Sequence, residues 1–285
     1  MAKVKEKDYR KIAAEKMYRP ADEERAPRFL IYSRNKKGKT YFSLSAGVGT
    51  TLVIDPERGA DEMKRKNPHI WPVEKWSDMD EVYEFVRHIN ECPDPKCKYW
   101  VDGKPHKFTW ISVDGLTKMN NMALKHVMRL MEERSLDRIP GMVNQKDYGK
   151  SGELMKEMMN KFHYLPQGIV FTAQERQMEA YDSEEDEDYE DNSAWYVPDV
   201  PKAVKGAANS IVDVIGRLYV VRVGEETPPK KERRLWVGDS AKYDTGYRSD
   251  FVLPDTIRNP TVPKLVQLMR TGTIQETAKK AKKKK

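Results

Sequence analysis

Residues 28–55 constrain the fold more than any other stretch. Arg28-Phe-Leu-Ile-Tyr32 is a short apolar run of strand type. A polar, basic loop follows, Ser33-Arg-Asn-Lys-Lys-Gly-Lys-Thr40, and then a short helix through about Ala46, broken by Gly47 and Gly49. Thr51-Leu-Val-Ile-Asp55 is a second apolar run. Strand, loop, helix and strand within about thirty residues are the mark of a parallel βαβ unit. The pattern continues with a helix over 78–91 and a strand Phe108–Asp114. Next come a helix carrying Leu116, Met119, Ala123, Val127 and Leu130, and another carrying Leu154, Met155, Met158, Met159 and Phe162. A strand Gly168–Ala173 closes this series. The methionines at helical spacing read as core packing rather than as a metal or cofactor site. Arg217–Val223 and Arg233–Val237 read as a hairpin around a Pro-Pro-Lys-Lys turn. The sequence predicts an α/β fold with a mostly parallel central sheet and a C-terminal β-hairpin.

Around this core the expected divisions are a helical arm over 1–26, a core over 27–265, and a C-terminal helix with a lysine-rich tail over 266–285. Residues 177–210 are expected to be a flexible acidic loop, Ile211–Ile215 the start of a helix, and 239–260 a polar loop. The net charge of +7 is unevenly spread. Six lysines lie in Lys279–Lys285 and eight carboxylates in Asp182–Asp191; without the tail the balance is +1, and without both it is +9. A lysine run binds polyanions by counterion release without sequence preference; the plainer reading is a solubilising tail. With 34% charged residues and a mean hydropathy of -0.82, no apolar run approaches the ~20 residues that span a bilayer. The N-terminal residues show no secretory pattern. A cytoplasmic protein without a membrane partner is expected.

The strongest chemical signal is Gly38-Lys39-Thr40 between a strand and a helix. In a phosphate loop glycine lets the backbone approach the phosphates, lysine reaches the terminal ones, and the threonine hydroxyl ligates Mg²⁺. The full pattern has glycine at position 33, where this chain has Ser33, so a serine is expected to bear a turn that glycine bears without strain. Arg34, Asn35, Lys36 and Lys37 complete the loop, and the added lysines either assist phosphate binding or are simply solvated. Asp114, at the end of its strand, is the natural Mg²⁺-holding carboxylate, with a helix cap as the alternative. Asp55 and Glu57 end another strand, where one of them can orient a water. Gln174 ends the strand beside the loop, where it can sense a γ-phosphate, the alternative being a turn residue. Strand ends on one side of an open α/β sheet converge on its ligand site.

Ser33–Thr40, Asp55-Pro-Glu57, the strand ending at Asp114, Asp147-Tyr148-Gly149 and Thr172-Ala-Gln174-Glu175 occur in the order of RecA-like ATPases. The chain resembles above all the short phage-encoded RecA-core proteins of the Sak type, which are single-strand annealing or recombination ATPases, over roughly residues 28 to 260. The resemblance implies a RecA-like P-loop core binding ATP and Mg²⁺ through Lys39, Thr40 and Asp114. It implies Glu57 as the water-activating carboxylate and Gln174 as the link to a DNA-binding loop at about 177–210. There Trp195 and Tyr196 would stack bases, and Lys202 and Lys205 would meet the backbone. It also implies a ring or filament in which a neighbour's Lys242 or Arg248 completes the site. Single-stranded DNA is the implied ligand, a single-strand-binding protein a further partner, and the cytoplasm of a host cell the setting. Other P-loop enzymes, such as small-molecule kinases, and a non-catalytic nucleotide-responsive scaffold remain alternatives. Cys92 and Cys97, flanked by His88 and His106, read as free thiols rather than as a zinc site, since their spacing is not that of a standard finger.

Overall fold

The protein is described here from a computed structural model, over residues 9–17, 25–59, 63–92, 94, 108–135, 137–178, 195–224 and 228–274. After a helix α1 (Tyr9–Lys16), strand β1 (Arg28–Ser33) leads through the basic loop into α2 (Lys39–Ser43) and a 3₁₀ turn, Leu44–Ala46. β2 (Thr51–Asp55), β3 (His69–Pro72), α3 (Asp78–Glu91), β4 (Trp110–Asp114), α4 (Leu116–Arg134), α5 (Gln145–His163) and β5 (Gly168–Met178) follow. Then come β6 (Trp195–Pro198), α6 (Lys202–Ile211), β7 (Val214–Val223), β8 (Lys230–Trp236), β9 (Gly246–Tyr247), β10 (Thr256–Arg258) and α7 (Val262–Thr271).

One sheet runs in the order β10-β8-β7-β1-β5-β4-β2-β3, with β6 on the tail of β5 and β9 on the start of β7. The six strands from β7 to β3 are parallel; β8 and β10 add antiparallel strands at one edge. Every residue of β1 is buried, as a parallel strand covered on both faces must be. Alternate residues of β1 enter two different cores. Leu30 and Tyr32 pack with Phe171, Met155 and Phe162 beneath α3–α6, while Phe29 and Ile31 pack with Phe42, Leu235 and Leu265 beneath α2 and α7. The helical methionines Met119, Met155, Met158 and Met159 are buried core residues, as their spacing predicts. This is a mixed α/β fold with a mostly parallel central sheet and the phosphate-loop strand inside it.

Several expectations need correction. Residues 195–211 are not loop: they form β6 and α6, and only the acidic segment, with Asp182–Asp191, lies outside the described residues. Ile211 ends a helix rather than starting one, and β7 begins three residues later. The stretch 239–260 contains β9 and β10. The C-terminal helix begins at Val262, and Val262, Leu265 and Leu268 are buried in the second core, so the core does not stop at 265. Cys92 is a free thiol after α3; Cys97, His106 and the lysine tail lie outside the described residues.

Asp147, in the Asp-Tyr-Gly triplet, opens α5 far from the phosphate loop in chain terms and serves the fold. Its buried carboxylate accepts the Asn144 N–H at 2.8 Å and pairs with Arg138. The Arg138 hydrogen bond holds the carboxyl below the usual aspartate range. A depressed folded-state value contributes stability that is complete above the unfolded value of about 4 and is lost as pH falls through the folded one. Asp147→Asn is therefore expected to lower the melting temperature by about 4–8 °C at pH 7. The gap between variant and wild type should close in melts below about pH 4; a gap that stays constant down to pH 3 would show that the ion pair contributes nothing.

Candidate functional site

β1 ends at Ser33, which lies opposite Gln174 of β5. The loop that follows takes its left-handed turns at Lys36 (φ 61°) and Gly38 (φ 100°) and none at Ser33. The serine therefore bears no glycine-only turn, contrary to expectation. It remains part of the strand and offers its hydroxyl and carbonyl to the Lys39 ammonium, at 3.4 and 3.3 Å. Burial pushes the Lys39 ammonium down, opposed by Asp114, Glu57 and Glu175. Lys39 is thus a largely buried cation aimed along the loop. Arg34, Asn35 and Lys36 are exposed on the outer rim, and Lys37, Gly38 and Thr40 are half-buried.

Asp114 is the most constrained acid of the site. Its two carboxylate oxygens accept from the hydroxyls of Thr40, at 2.5 Å, and Thr172, at 2.6 Å. Burial raises its affinity for a proton, and the two hydroxyl donors oppose that. It does not cap α4, whose N-cap is Gly115. A threonine hydroxyl beside a carboxylate is a set of hard oxygen donors, which fits Mg²⁺. Asp55 and Glu57 divide their labour. Buried Asp55 accepts the backbone N–H groups of Glu57, at 2.9 Å, and Gly59, at 3.3 Å, and so folds the turn. Glu57 is exposed, and its Oε1 receives Gln174 Nε2 at 3.4 Å. Any side chain at Gly115 would press on it, since a Cβ there would lie 3.2 Å from Glu57 Oε1. A groove of about 350 Å³ opens beside Glu57, lined by Asp55, Arg58, Lys118, Asn121 and Lys125 among others.

Lys39, Thr40, Asp114, Glu57 and Gln174 thus converge at the carboxyl ends of the strands. Thr172 and Glu175, quoted in the sequence only as neighbours of Gln174 and given no role, join them, as does Arg217, which was not singled out. Glu175 is 3% exposed at its side chain and receives Arg34 Nε at 3.2 Å and Arg217 at 2.6 and 3.3 Å. The Arg217 guanidinium also lies over the rings of Tyr243, at 4.4 Å, and Tyr196, at 5.0 Å. Thr172 and Glu175 sit within the strand that already carries Gln174, and that adjacency is the signal that could have found them. Arg217 carries no local signal.

The residues expected to meet DNA are partly engaged elsewhere. Tyr196 lies under Arg217, and its N–H donates to Lys242 O at 2.9 Å. Lys205 pairs with Asp244 at 3.0 Å and covers the Trp195 ring at 4.7 Å. Lys202 is exposed at the start of α6, and Lys242 is exposed as well. Arg248 donates to the carbonyls of Ser210 and Asn209, at 2.9 and 2.6 Å, closing the end of α6. It sits beside Asp213, at the amino ends of β1 and β7 and so at the opposite end of the sheet from the phosphate loop.

Among the described residues no helix is long and apolar enough to cross a membrane. No curated protein matches the sequence. Among solved structures the chain is similar to a KaiC-like protein of the hyperthermophilic archaeon Pyrococcus horikoshii OT3, at 9% identity and a TM-score of 0.39, covering 79% of this chain and 83% of that one. The profile of the AAA domain family AAA_24 matches residues 25–249, which hold the phosphate loop, Glu57, Asp114 and Gln174. That span is well over half of the sequence, and the chain accordingly belongs to the AAA_24 family of AAA domains, as a P-loop ATPase.

Proposed function

We propose that this chain hydrolyses ATP in order to act on single-stranded DNA in phage recombination or annealing, as the Sak-type proteins it resembles do. The observation that carries the reading is the contact between Glu57 and Gln174. The exposed carboxylate is the group able to take a proton from a water attacking the terminal phosphate, as that phosphate leaves the ADP oxygen. Its partner Gln174 lies on the strand that runs on to Met178 and into the acidic segment. Lys39 holds the transferring phosphate's charge from a desolvated position, where electrostatic stabilisation is strongest. Thr40 and Asp114 would hold Mg²⁺, which when bound neutralises charge on the terminal phosphates.

Assembly into a ring or filament, with Lys242 of a neighbour at the site, belongs to this reading. Arg248 is a weaker candidate for that role, since it already closes α6. Exposed Lys202 and the lysine tail are the DNA contacts retained. A single-strand-binding protein as partner and the host cytoplasm as location complete the proposal. A second reading, transfer of the phosphate to a small acceptor, is favoured by the groove beside Glu57 and its lysines.

Purified protein is expected to release phosphate from ATP faster with single-stranded DNA than without it. Lys39→Ala should lower kcat/KM at least about 100-fold, and Glu57→Gln should lower kcat about 100- to 1,000-fold. Turnover indifferent to DNA would favour the small-acceptor enzyme. Absence of turnover under every condition, with DNA binding intact, would leave a scaffold.

Thr172→Val removes one of the two donors to Asp114, so the carboxyl gains further affinity for a proton. The Mg²⁺ concentration giving half-maximal nucleotide binding is expected to rise about tenfold, and more at pH 6 than at pH 8. An unchanged requirement at both pH values would remove Asp114 from the metal site.

A further inference from the structure

The Mg²⁺ end of the loop lies toward β4, where Thr40 meets Asp114. The sheet order places β7 and β8 on the other side of β1. A nucleotide whose terminal phosphates lie at the Asp114 end must carry its nucleoside toward that side. Tyr41 follows Thr40 directly and is turned from it by about 100° around the helix. Tyr41 is 41% exposed, and Lys66 Nζ lies 3.6 Å and the Arg233 guanidinium 4.7 Å from its ring. Arg233 comes from β8 and lies on the loop itself. Its Nε donates to Lys37 O at 3.4 Å, and a Cβ on Gly38 would meet that Nε at 2.6 Å. Gly38 is thus required by its φ, and a side chain there would also push the Arg233 guanidinium off the loop. No carboxylate pairs with Arg233 or Lys66 among the described residues.

We propose that Tyr41 and Arg233 are the nucleoside side of the nucleotide site, with the Tyr41 ring stacking on the base and Arg233 binding the phosphates next to the ribose. The inference rests on the reading that a nucleotide occupies the phosphate loop. An exposed aromatic side chain is a platform for any base, and a guanidinium both stacks on rings and matches phosphate geometry. Two cations over the same ring, neither paired with a carboxylate among the described residues, fit a ligand that joins a π-system to a polyanion. The site would take nucleoside di- and triphosphates from within one chain, before any neighbour contributes.

The test is isothermal titration of the full chain with ATP, ADP and inorganic tripolyphosphate. Tyr41→Ala is expected to weaken ATP and ADP about tenfold and to leave tripolyphosphate unchanged, while Tyr41→Phe, which keeps the ring, binds all three within about twofold of wild type. Arg233→Ala is expected to weaken all three ligands about tenfold. Both side chains are exposed, and circular dichroism of each variant checks that the fold is kept. If Tyr41→Ala weakens tripolyphosphate as much as ATP, the ring is a structural support and the base platform is wrong. If both alanine variants bind ATP as wild type does while Lys39→Ala loses it, this inference fails and the phosphate loop stands. If Lys39→Ala binds as well as wild type, or the wild type binds nothing, the nucleotide reading fails with it.

Discussion

The site depends on the register of four parallel strands. Ser33 lies opposite Gln174, Asp114 opposite Thr172, and Ile54 opposite Val113, which sets Asp55 beside Asp114. These pairings bring the ends of β1, β5, β4 and β2 nearly level, and the loop, Asp114, Glu57 and Gln174 all extend from that line. Because side chains alternate along a strand, a slip of one residue would turn Thr172 and Gln174 to the other face together. The register is in turn held by burial. β1, β2 and β4 have almost no exposed residue. The alternate side chains of β1 fill two separate cores, while β2 gives Leu52 and Ile54 to the first and Val53 to a small third cluster with Leu44. Slipping β1 would cost both main cores at once.

Upon that frame the electrostatics are arranged by desolvation. Asp114 and Lys39 are each pushed toward their neutral forms by burial and drawn back by their neighbours. Two threonine hydroxyls hold the acid, and Ser33 holds the ammonium where a glycine could offer only its carbonyl. A polyphosphate with its metal would meet both charges already aligned, so little reorganisation is left for the moment of reaction. Ser33 therefore keeps the strand geometry and adds a hydroxyl partner for the loop lysine.

Much of this was legible in the sequence because the decisive elements are local. β2, α3 and the start of β5 lie where their apolar periodicity puts them, and Gly38-Lys39-Thr40, Glu57, Asp114 and Gln174 each end or follow a run that reads clearly. The failures have physical causes. β6 has only four residues, including a proline, too few to show a period; α6 has a clear apolar face with Val204, Ala208 and Ile211, but its Gly206 and its uncapped start after Pro201 read as loop. β9 and β10 have two and three residues, too few for any alternation to show. Arg233 and Arg217 reach partners 196 and 42 residues away, and an arginine in a hairpin strand carries no sign of which way it will reach. Tyr196 and Lys205 looked free because their partners Arg217 and Asp244 come from later elements.

The end of β5 is where chemistry and the rest of the chain meet. Gln174 and Glu175 are neighbours in a strand and point to opposite faces. Gln174 touches Glu57, while Glu175 grips Arg34 at the rim of the phosphate loop and Arg217 on β7. The next four positions, Glu175 to Met178, form the antiparallel ladder with β6. β6 is fastened in turn through Tyr196, whose carbonyl receives Tyr32 of β1 at 3.1 Å and whose ring lies under Arg217. Any shift of Gln174 on a change in the terminal phosphate must therefore pass through a strand held on both faces. β1 and β4 pair with β5 as far as Gln174 and Thr172, and beyond that point its partner is β6. The acidic segment joins the ends of that ladder, so the part of the sheet best placed to respond to the nucleotide is also the part nearest the chain's most strongly charged insertion.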